Sequence, residues 1–131
     1  MVIDSSAFLA IMLGEPEDVA FTEAIAQVQT RLASAATMME ASMVILSRMG
    51  EAGLTDFREF SLRGAIETVP FGAEQLDLAI DAFRRFGKGR HAAGLNFGDC
   101  FSYALARATG EPLLFKGEDF ALTDLKRAVS S

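Results

Sequence analysis

The fold is decided by one stretch of sequence, Gly94-Leu95-Asn96-Phe97-Gly98-Asp99-Cys100-Phe101-Ser102-Tyr103-Ala104-Leu105-Ala106-Arg107. From Cys100 to Ala106 nearly every residue is apolar or small, whereas a helix on a protein surface would present a polar face. This pattern predicts a helix that is buried on nearly all sides. Gly98 and Asp99 mark its start, because aspartate is favoured at the N-cap and in the first turn of a helix. The stretch therefore predicts a carboxylate at the mouth of a buried helix.

The composition is that of a small globular protein. The chain has 131 residues, half of them hydrophobic, which predicts a single domain over residues 1–131 with a substantial core. Its one cysteine excludes an internal disulfide and fits a reducing compartment. The N-terminus lacks the pattern of a signal peptide, and no apolar run reaches the ~18 residues of a membrane span. We therefore expect a soluble cytoplasmic protein without a membrane segment.

Short apolar runs alternate with helical patterns along the chain. The runs predict strands near residues 1–3, 32–36, 67–71 and 112–116. The patterns between them predict helices over 6–13, 17–29, from 38 to near Gly50 or Gly53, over 55–66 and over 73–86, followed by the helix of Asp99. In the helix after the second strand, Thr37 and Glu40 have the spacing of a capping box. Such alternation predicts an α/β domain with a parallel sheet.

Acidic residues recur just after the predicted strands. Asp4 follows the first strand, Glu40 lies in the first turn after the second, and Asp99 begins the buried helix; Glu118 and Asp119 follow the last strand. Open α/β sheets bind ligands at the carboxyl ends of their strands, so we expect these acids to converge. Because like charges repel, at least one of them should have a raised pKa. Mg²⁺ or Mn²⁺ would relieve the repulsion, and ions held by carboxylates activate water for phosphodiester cleavage.

The basic residues are concentrated in one segment. The net charge of −6 argues against a nucleic-acid-binding protein, whose surface is usually basic. A local cluster nevertheless predicts a phosphate-binding patch, with a solvated loop as the alternative; it consists of Arg84, Arg85, Lys88, Arg90 and His91.

Four motifs carry a resemblance to a known family. They are Val2-Ile3-Asp4-Ser5-Ser6-Ala7, Met39-Glu40, the run from Ala93 to Ala104, and the run from Pro112 to Phe120. With them the chain resembles the PIN-domain ribonucleases, specifically the VapC toxins of bacterial toxin–antitoxin pairs. The resemblance implies a parallel sheet of four or five strands flanked by helices and an endoribonuclease that uses Mg²⁺ or Mn²⁺. It also implies RNA as substrate, a VapB-like antitoxin and a homodimer.

The resemblance further implies roles for particular residues. Asp4 and Asp99 would be the principal metal ligands and Glu40 the third acid. Asp119 would be the fourth catalytic acid, although many PIN domains place it two residues earlier, so Glu118 is the alternative. Two residues would support this set: Ser6 beside the first aspartate, and Asn96, which either contacts substrate or fixes the loop before Asp99.

An apolar face is the candidate for antitoxin binding. Leu54, Phe57 and Phe60 recur at nearly helical spacing and give their helix more apolar surface than a small domain is expected to bury. Together with the helix over 17–29 they predict a groove for an antitoxin helix. Ordinary core packing is the alternative.

Three other functions were compared with the ribonuclease. A haloacid-dehalogenase-like phosphatase also begins with an aspartate after a short strand, but needs a second one where this chain has Ser6. A phospho-receiver domain needs an aspartate at the end of a central strand, which Asp56 does not fit. The last alternative is a PIN-like domain that has lost activity and only binds partners, and the intact set of Asp4, Glu40 and Asp99 counts against it.

Overall fold

Four short strands form a parallel sheet at the centre of the computed structural model, which describes residues 1–129. The strands are β1 (Val2–Ile3), β2 (Leu32–Ser34), β3 (Glu67–Val69) and β4 (Leu113–Leu114), and their order across the sheet is β3-β2-β1-β4. All three pairings are parallel, which confirms the predicted sheet. Because parallel strands end at the same edge, the segments that follow β1, β2 and β4 leave the sheet side by side.

Helices cover both faces of the sheet. They are α1 (Ser5–Met12), α2 (Asp18–Ala26), α3 (Ala35–Arg63), α4 (Ala73–Phe86) and α5 (Phe97–Thr109), and a short 3₁₀ turn follows at Phe120–Leu122. Strand side chains alternate between the faces. Val2 and Leu113 pack with α4 and α5, whereas Ile3 and Leu114 pack with α1, α2 and α3. Among residues 1–129, no helix combines the length and the apolar character that crossing a membrane requires.

The helix α5 is buried as its sequence predicts. Cys100 and residues 102–106 are all buried in the core between the sheet and α4. The helix ends at Gly110, whose φ of 73° is the left-handed conformation that glycine adopts easily. Burial of this helix fixes the position of its first turn at the carboxyl edge of the sheet.

The helix α3 differs from its prediction. Instead of one helix from residue 38 to near Gly50 or Gly53 and a second over 55–66, one helical segment runs from Ala35 to Arg63. Its break lies at Gly50, one of the two predicted ends, where φ is 68° and ψ is −164°. The prediction that Thr37 caps this helix is wrong. The N-cap is Ser34, whose side chain accepts a hydrogen bond from the amide of Ala36, because β2 turns directly into the helix. Thr37 lies inside the first turn and is buried, so the capping box with Glu40 does not form.

The proposed antitoxin-binding face is also corrected. Phe57 is only 1% exposed and packs edge-to-face on Phe8, with 5.2 Å between the ring centroids. Leu54 and Phe60 are partly buried against the same core. In a helix, each step of three residues turns the side chain by about 60° from the previous one, so the middle residue of the three faces inward. Phe57 is therefore a core residue and not part of a binding surface.

Candidate active site

The most buried acid of the site is Asp4, directly after the central strand β1. Its side chain is 2% exposed and caps α1. Oδ2 accepts hydrogen bonds from the amide and the hydroxyl of Ser6, at 3.0 and 2.6 Å. Oδ1 accepts one from the hydroxyl of Ser102 at 2.6 Å. These bonds compensate a buried carboxylate for the water it has lost and fix its orientation.

The two serines that bind the Asp4 carboxylate are themselves hydrogen-bonded to other segments at the carboxyl edge of the sheet. The hydroxyl of Ser6 accepts a hydrogen bond from the amide of Lys116, 3.0 Å away and just beyond β4. The hydroxyl of Ser102 lies 3.2 Å from that of Thr37 in α3. Asp4 is thus connected to the segments that follow both neighbouring strands. The roles of Ser102 and Thr37 are not predicted by the sequence patterns above. The available signal for Ser102 is a hydroxyl within the apolar run of α5, one turn after Asp99.

Asp99 lies in the first turn of α5 but does not cap it. Asn96 is the N-cap, and its side chain accepts a hydrogen bond from the Asp99 amide at 2.9 Å. Asp99 Oδ2 accepts one in return from the Asn96 amide at 3.0 Å. This reciprocal pair is a capping box. These hydrogen bonds agree with the loop-fixing role considered for Asn96, and its contact with substrate stays a prediction.

The pKa of Asp99 is raised from 3.8 to about 6. Burial is the largest cause; the charges of Asp4, Asp119 and Glu40 raise it further, and the hydrogen bond from Asn96 opposes them. The expectation of a raised pKa is confirmed, although burial contributes more than repulsion does. All four acids proposed from the sequence lie close enough for their charges to interact.

The other two acids approach from opposite sides. Glu40 projects from α3, and its Oε1 accepts a hydrogen bond of 2.7 Å from the hydroxyl of Ser5. Asp119 is exposed at the start of the 3₁₀ turn. Of the two candidates for the fourth acid, Asp119 rather than Glu118 is the one whose charge raises the pKa of Asp99.

Known proteins resemble this chain over nearly its whole length. Residues 1–126 match the PIN domain family. The chain belongs to the PIN-domain family. It is 50% identical over 125 residues to "Ribonuclease VapC" of Mycolicibacterium smegmatis, an alignment that covers 95% of this chain and 97% of the relative. It is 48% identical over 125 residues to "Ribonuclease VapC30" of Mycobacterium tuberculosis H37Rv, with 95% of each chain covered. These relatives place this PIN domain among the VapC ribonucleases.

A solved structure shares the fold. VapC20 of Mycobacterium tuberculosis, described as a "Sarcin-Ricin loop cleaving toxin", aligns with a TM-score of 0.76 over 95% of both chains at 16% identity. At that identity the likeness concerns the fold. Membership in the PIN family removes the phosphatase and the phospho-receiver from consideration.

The donor set of this PIN domain fits a hard divalent cation. Within residues 1–129, no three His, Cys, Asp or Glu side chains are gathered into a ready-made set of metal ligands. Mg²⁺ does not require one, because it keeps several waters and is commonly bound through one or two carboxylates. The residues that could hold it are Asp4, Asp99 and Glu40, whose mutual repulsion a cation would offset.

The two arginines of the basic cluster that lie in α4 form ion pairs with other acids. Arg84 pairs with Asp81 at 3.3 Å, and Arg85 pairs with Asp124 at 3.2 Å. Across the part of the chain that the structure describes, no ion pair joins the cluster to the four acids. The exposed members in the loop before α5 are Lys88, Arg90 and His91. The phosphate-binding prediction therefore rests on this loop rather than on the two arginines of α4.

The raised pKa of Asp99 has a consequence for stability. Its pKa is about 6 in the folded protein and 3.8 ordinarily, so the proton binds the folded state more tightly. The resulting stabilisation is fully present below pH 3.8 and is lost as the pH rises through about 6. After allowance for solvent screening of this partly exposed group, we expect a loss of about 1 kcal/mol in metal-free buffer.

Thermal unfolding with a chelator, from pH 4.5 to 7.5, measures this loss. Subtracting the profile of Asp99→Asn isolates it from the other titrating groups. Identical pH profiles for the two proteins would contradict the assignment.

Proposed function

We propose that this PIN domain is a divalent-metal-dependent endoribonuclease and the toxin of a toxin–antitoxin pair. Asp4, Asp99 and Glu40 would bind Mg²⁺ or Mn²⁺, and Asp119 would complete the acidic set. The observation that carries the proposal is the proximity of three carboxylates, those of Asp4, Glu40 and Asp119, to Asp99 at the carboxyl edge of the sheet, where their charges raise its pKa. The names of the relatives, VapC ribonucleases, support the reaction class.

The chain's own residues prepare the site for this chemistry. A bound cation would activate water and stabilise the charge that develops on the phosphate. Ser6 and Ser102 hold the Asp4 carboxylate in one orientation. Because the pKa of Asp99 is about 6, this carboxylate is mostly ionised near pH 7 and available to a cation. The hydrogen bonds therefore hold the negatively charged carboxylates in fixed positions at the site.

RNA would be recognised by the basic loop before α5. The protein carries a net charge of −6, so a local positive patch is needed to attract a polyanion. Lys88, Arg90 and His91 are exposed there. We assign them to phosphate contacts rather than to catalysis.

A VapB-like antitoxin would bind between α2 and α3. These helices line a groove of about 440 Å³ in which Ile25 and Phe60 supply apolar surface. Arg31 and Arg63 lie on the same groove with acidic residues, so a partner helix would meet both apolar and charged groups. This proposal retains Phe60 and the helix over 17–29 from the sequence prediction and omits Leu54 and Phe57, which do not line the groove. We also propose that the protein forms a homodimer in the cytoplasm.

Cation-dependent stability and cleavage test the proposal together. Binding to the folded state alone stabilises a protein by about 2.7 kcal/mol when the ligand is at a hundredfold excess over its Kd. We expect Mg²⁺ or Mn²⁺ to raise the melting temperature correspondingly, and RNA to be cut only when one of them is present. The matched control is Asp77→Asn, which removes an exposed acid of α4 and should change neither response.

The alternative functions give different results. A protein indifferent to either cation up to millimolar concentration would contradict the metal site. A protein that gains stability from the cation but cuts no RNA would be a partner-binding domain.

A further inference from the structure

We infer that Gly98 and Ser5 form a seat that positions the carboxylate of Glu40, and that Gly98 is glycine because this carboxylate occupies the place of its side chain. The inference rests on the proposed function, in which Glu40 is the third acid. Neither Gly98 nor Ser5 would touch metal or RNA. Both would be positioning residues that act through Glu40.

The backbone does not explain a glycine at this position. Gly98 lies in the first turn of α5, and the glycines with positive φ are found elsewhere, at 14, 50, 89, 94, 110 and 117. A glycine with ordinary helical geometry weakens a helix relative to alanine. Another requirement must therefore favour glycine here.

Glycine is required at position 98 because the Glu40 carboxylate occupies the space that a side chain would need. A Cβ added to Gly98 would lie 2.8 Å from both Cδ and Oε1 of Glu40, and closer still to Oε2. Real Cβ atoms do not approach other atoms so closely, so one group would have to move. The Glu40 carboxylate is the end of a flexible side chain, whereas Gly98 belongs to a buried helix. An alanine at 98 would therefore displace the carboxylate and leave the helix in place.

Ser5 holds the same carboxylate from the other side. Its hydroxyl donates a 2.7 Å hydrogen bond to Oε1 of Glu40. Ser5 is the first residue of α1 and follows Asp4 directly, while Gly98 precedes Asp99. The N-terminal end of α5 also favours a negative charge. Glu40 is thus held between the two segments that carry Asp4 and Asp99, and its charge acts on Asp99.

Two substitutions test the seat. Gly98→Ala and Ser5→Ala should each weaken Mn²⁺ binding by calorimetry and lower the kcat for RNA cleavage by about tenfold to a hundredfold, as loss of a positioning contact does. Gly98→Ala should nevertheless melt at the same temperature as the parent or higher. Ser5→Thr keeps a hydroxyl and should recover most of what Ser5→Ala loses.

A matched glycine provides the control. Gly72 has no positive φ, and nothing lies within 4 Å of a Cβ added there. Gly72→Ala should therefore leave Mn²⁺ affinity and cleavage at parental values. Parental affinity and cleavage in Gly98→Ala as well would overturn the inference.

A double-mutant cycle shows whether Gly98 acts through Glu40. In a Glu40→Ala background, Gly98→Ala should cause no further loss of Mn²⁺ affinity. It should also raise the melting temperature more there than in the parent, because no carboxylate has to be displaced. If Gly98→Ala changed Mn²⁺ affinity and melting temperature equally in the parent and in Glu40→Ala, the inference that Gly98 acts through Glu40 would be wrong. The melting cycle needs neither metal nor RNA, so it tests the seat even if the parent proves to bind no cation and the proposed function fails.

Discussion

Replacing Asp99 with asparagine is expected to reduce RNA cleavage by several orders of magnitude while the protein stays folded. The substitution removes a negative charge and one of the two oxygens available to a cation. The fold should survive because the amide oxygen of asparagine can still accept the hydrogen bond from the Asn96 amide in the capping box. Cleavage kinetics in saturating Mg²⁺, together with circular dichroism, measure these two properties separately.

The same variant separates an active-site acid from a helix-capping residue. Without metal, Asp99→Asn should melt no lower than the parent, since it removes the carboxylate whose pKa is raised by burial and neighbouring acids. It should also lose most of the stabilisation that Mg²⁺ or Mn²⁺ gives. If Asp99 served only the capping box, the variant would cut RNA at the parental rate, and neither protein would respond to the cation.

Truncation of Phe57 is expected to have the largest effect on stability. Phe57→Ala removes a buried ring and its edge-to-face contact with Phe8. Substitutions of this type cost about 3–5 kcal/mol, a large part of the stability of a small domain. Urea denaturation measures the loss as a lower midpoint. Phe60→Ala is the matched control and should cost clearly less, because Phe60 is only partly buried.

These two phenylalanines also test where an antitoxin binds. Phe60 lines the groove between α2 and α3, so Phe60→Ala should weaken the binding of a VapB-like partner to a folded protein. A Phe57→Ala variant that is as stable as the parent but binds the partner more weakly would indicate that Phe57 belongs to the binding surface. That result would contradict its assignment to the core.

The sequence was sufficient to predict the parallel sheet and that Asp4, Glu40 and Asp119 lie near Asp99. Apolar runs separated by helical patterns indicate parallel strands, and the amphipathic pattern of α4 predicts its bounds, Ala73–Phe86, correctly. Asp4 and Asp99 are recognisable because each stands at the end of an apolar segment or the start of one. Such signals are local and depend on periodicity, which a single sequence displays.

The remaining features depend on contacts between distant segments. Ser34 and Thr37 are both good capping residues, and only the end of β2 decides between them. Thr37 instead lies beside Ser102, 65 residues away in the sequence. The space beside Gly98 likewise becomes visible only when α3 and α5 are packed together. Local pattern identifies the acids but not the groups that hold them.

The position of β1 in the sheet has a consequence for how the protein is made. Of the four strands of the sheet, β1 is synthesised first, but it lies between β2 and β4, and β4 is synthesised last. The hydrogen bond from Ser102 to Asp4 needs a residue that is synthesised 98 residues later. The hydrogen bond from the Lys116 amide to Ser6 needs one that is synthesised 110 residues later. At about 5–20 residues per second, the first acid is therefore without its supports for several seconds of translation. The hydrogen bonds around Asp4 are therefore complete only after the chain has been synthesised as far as Lys116.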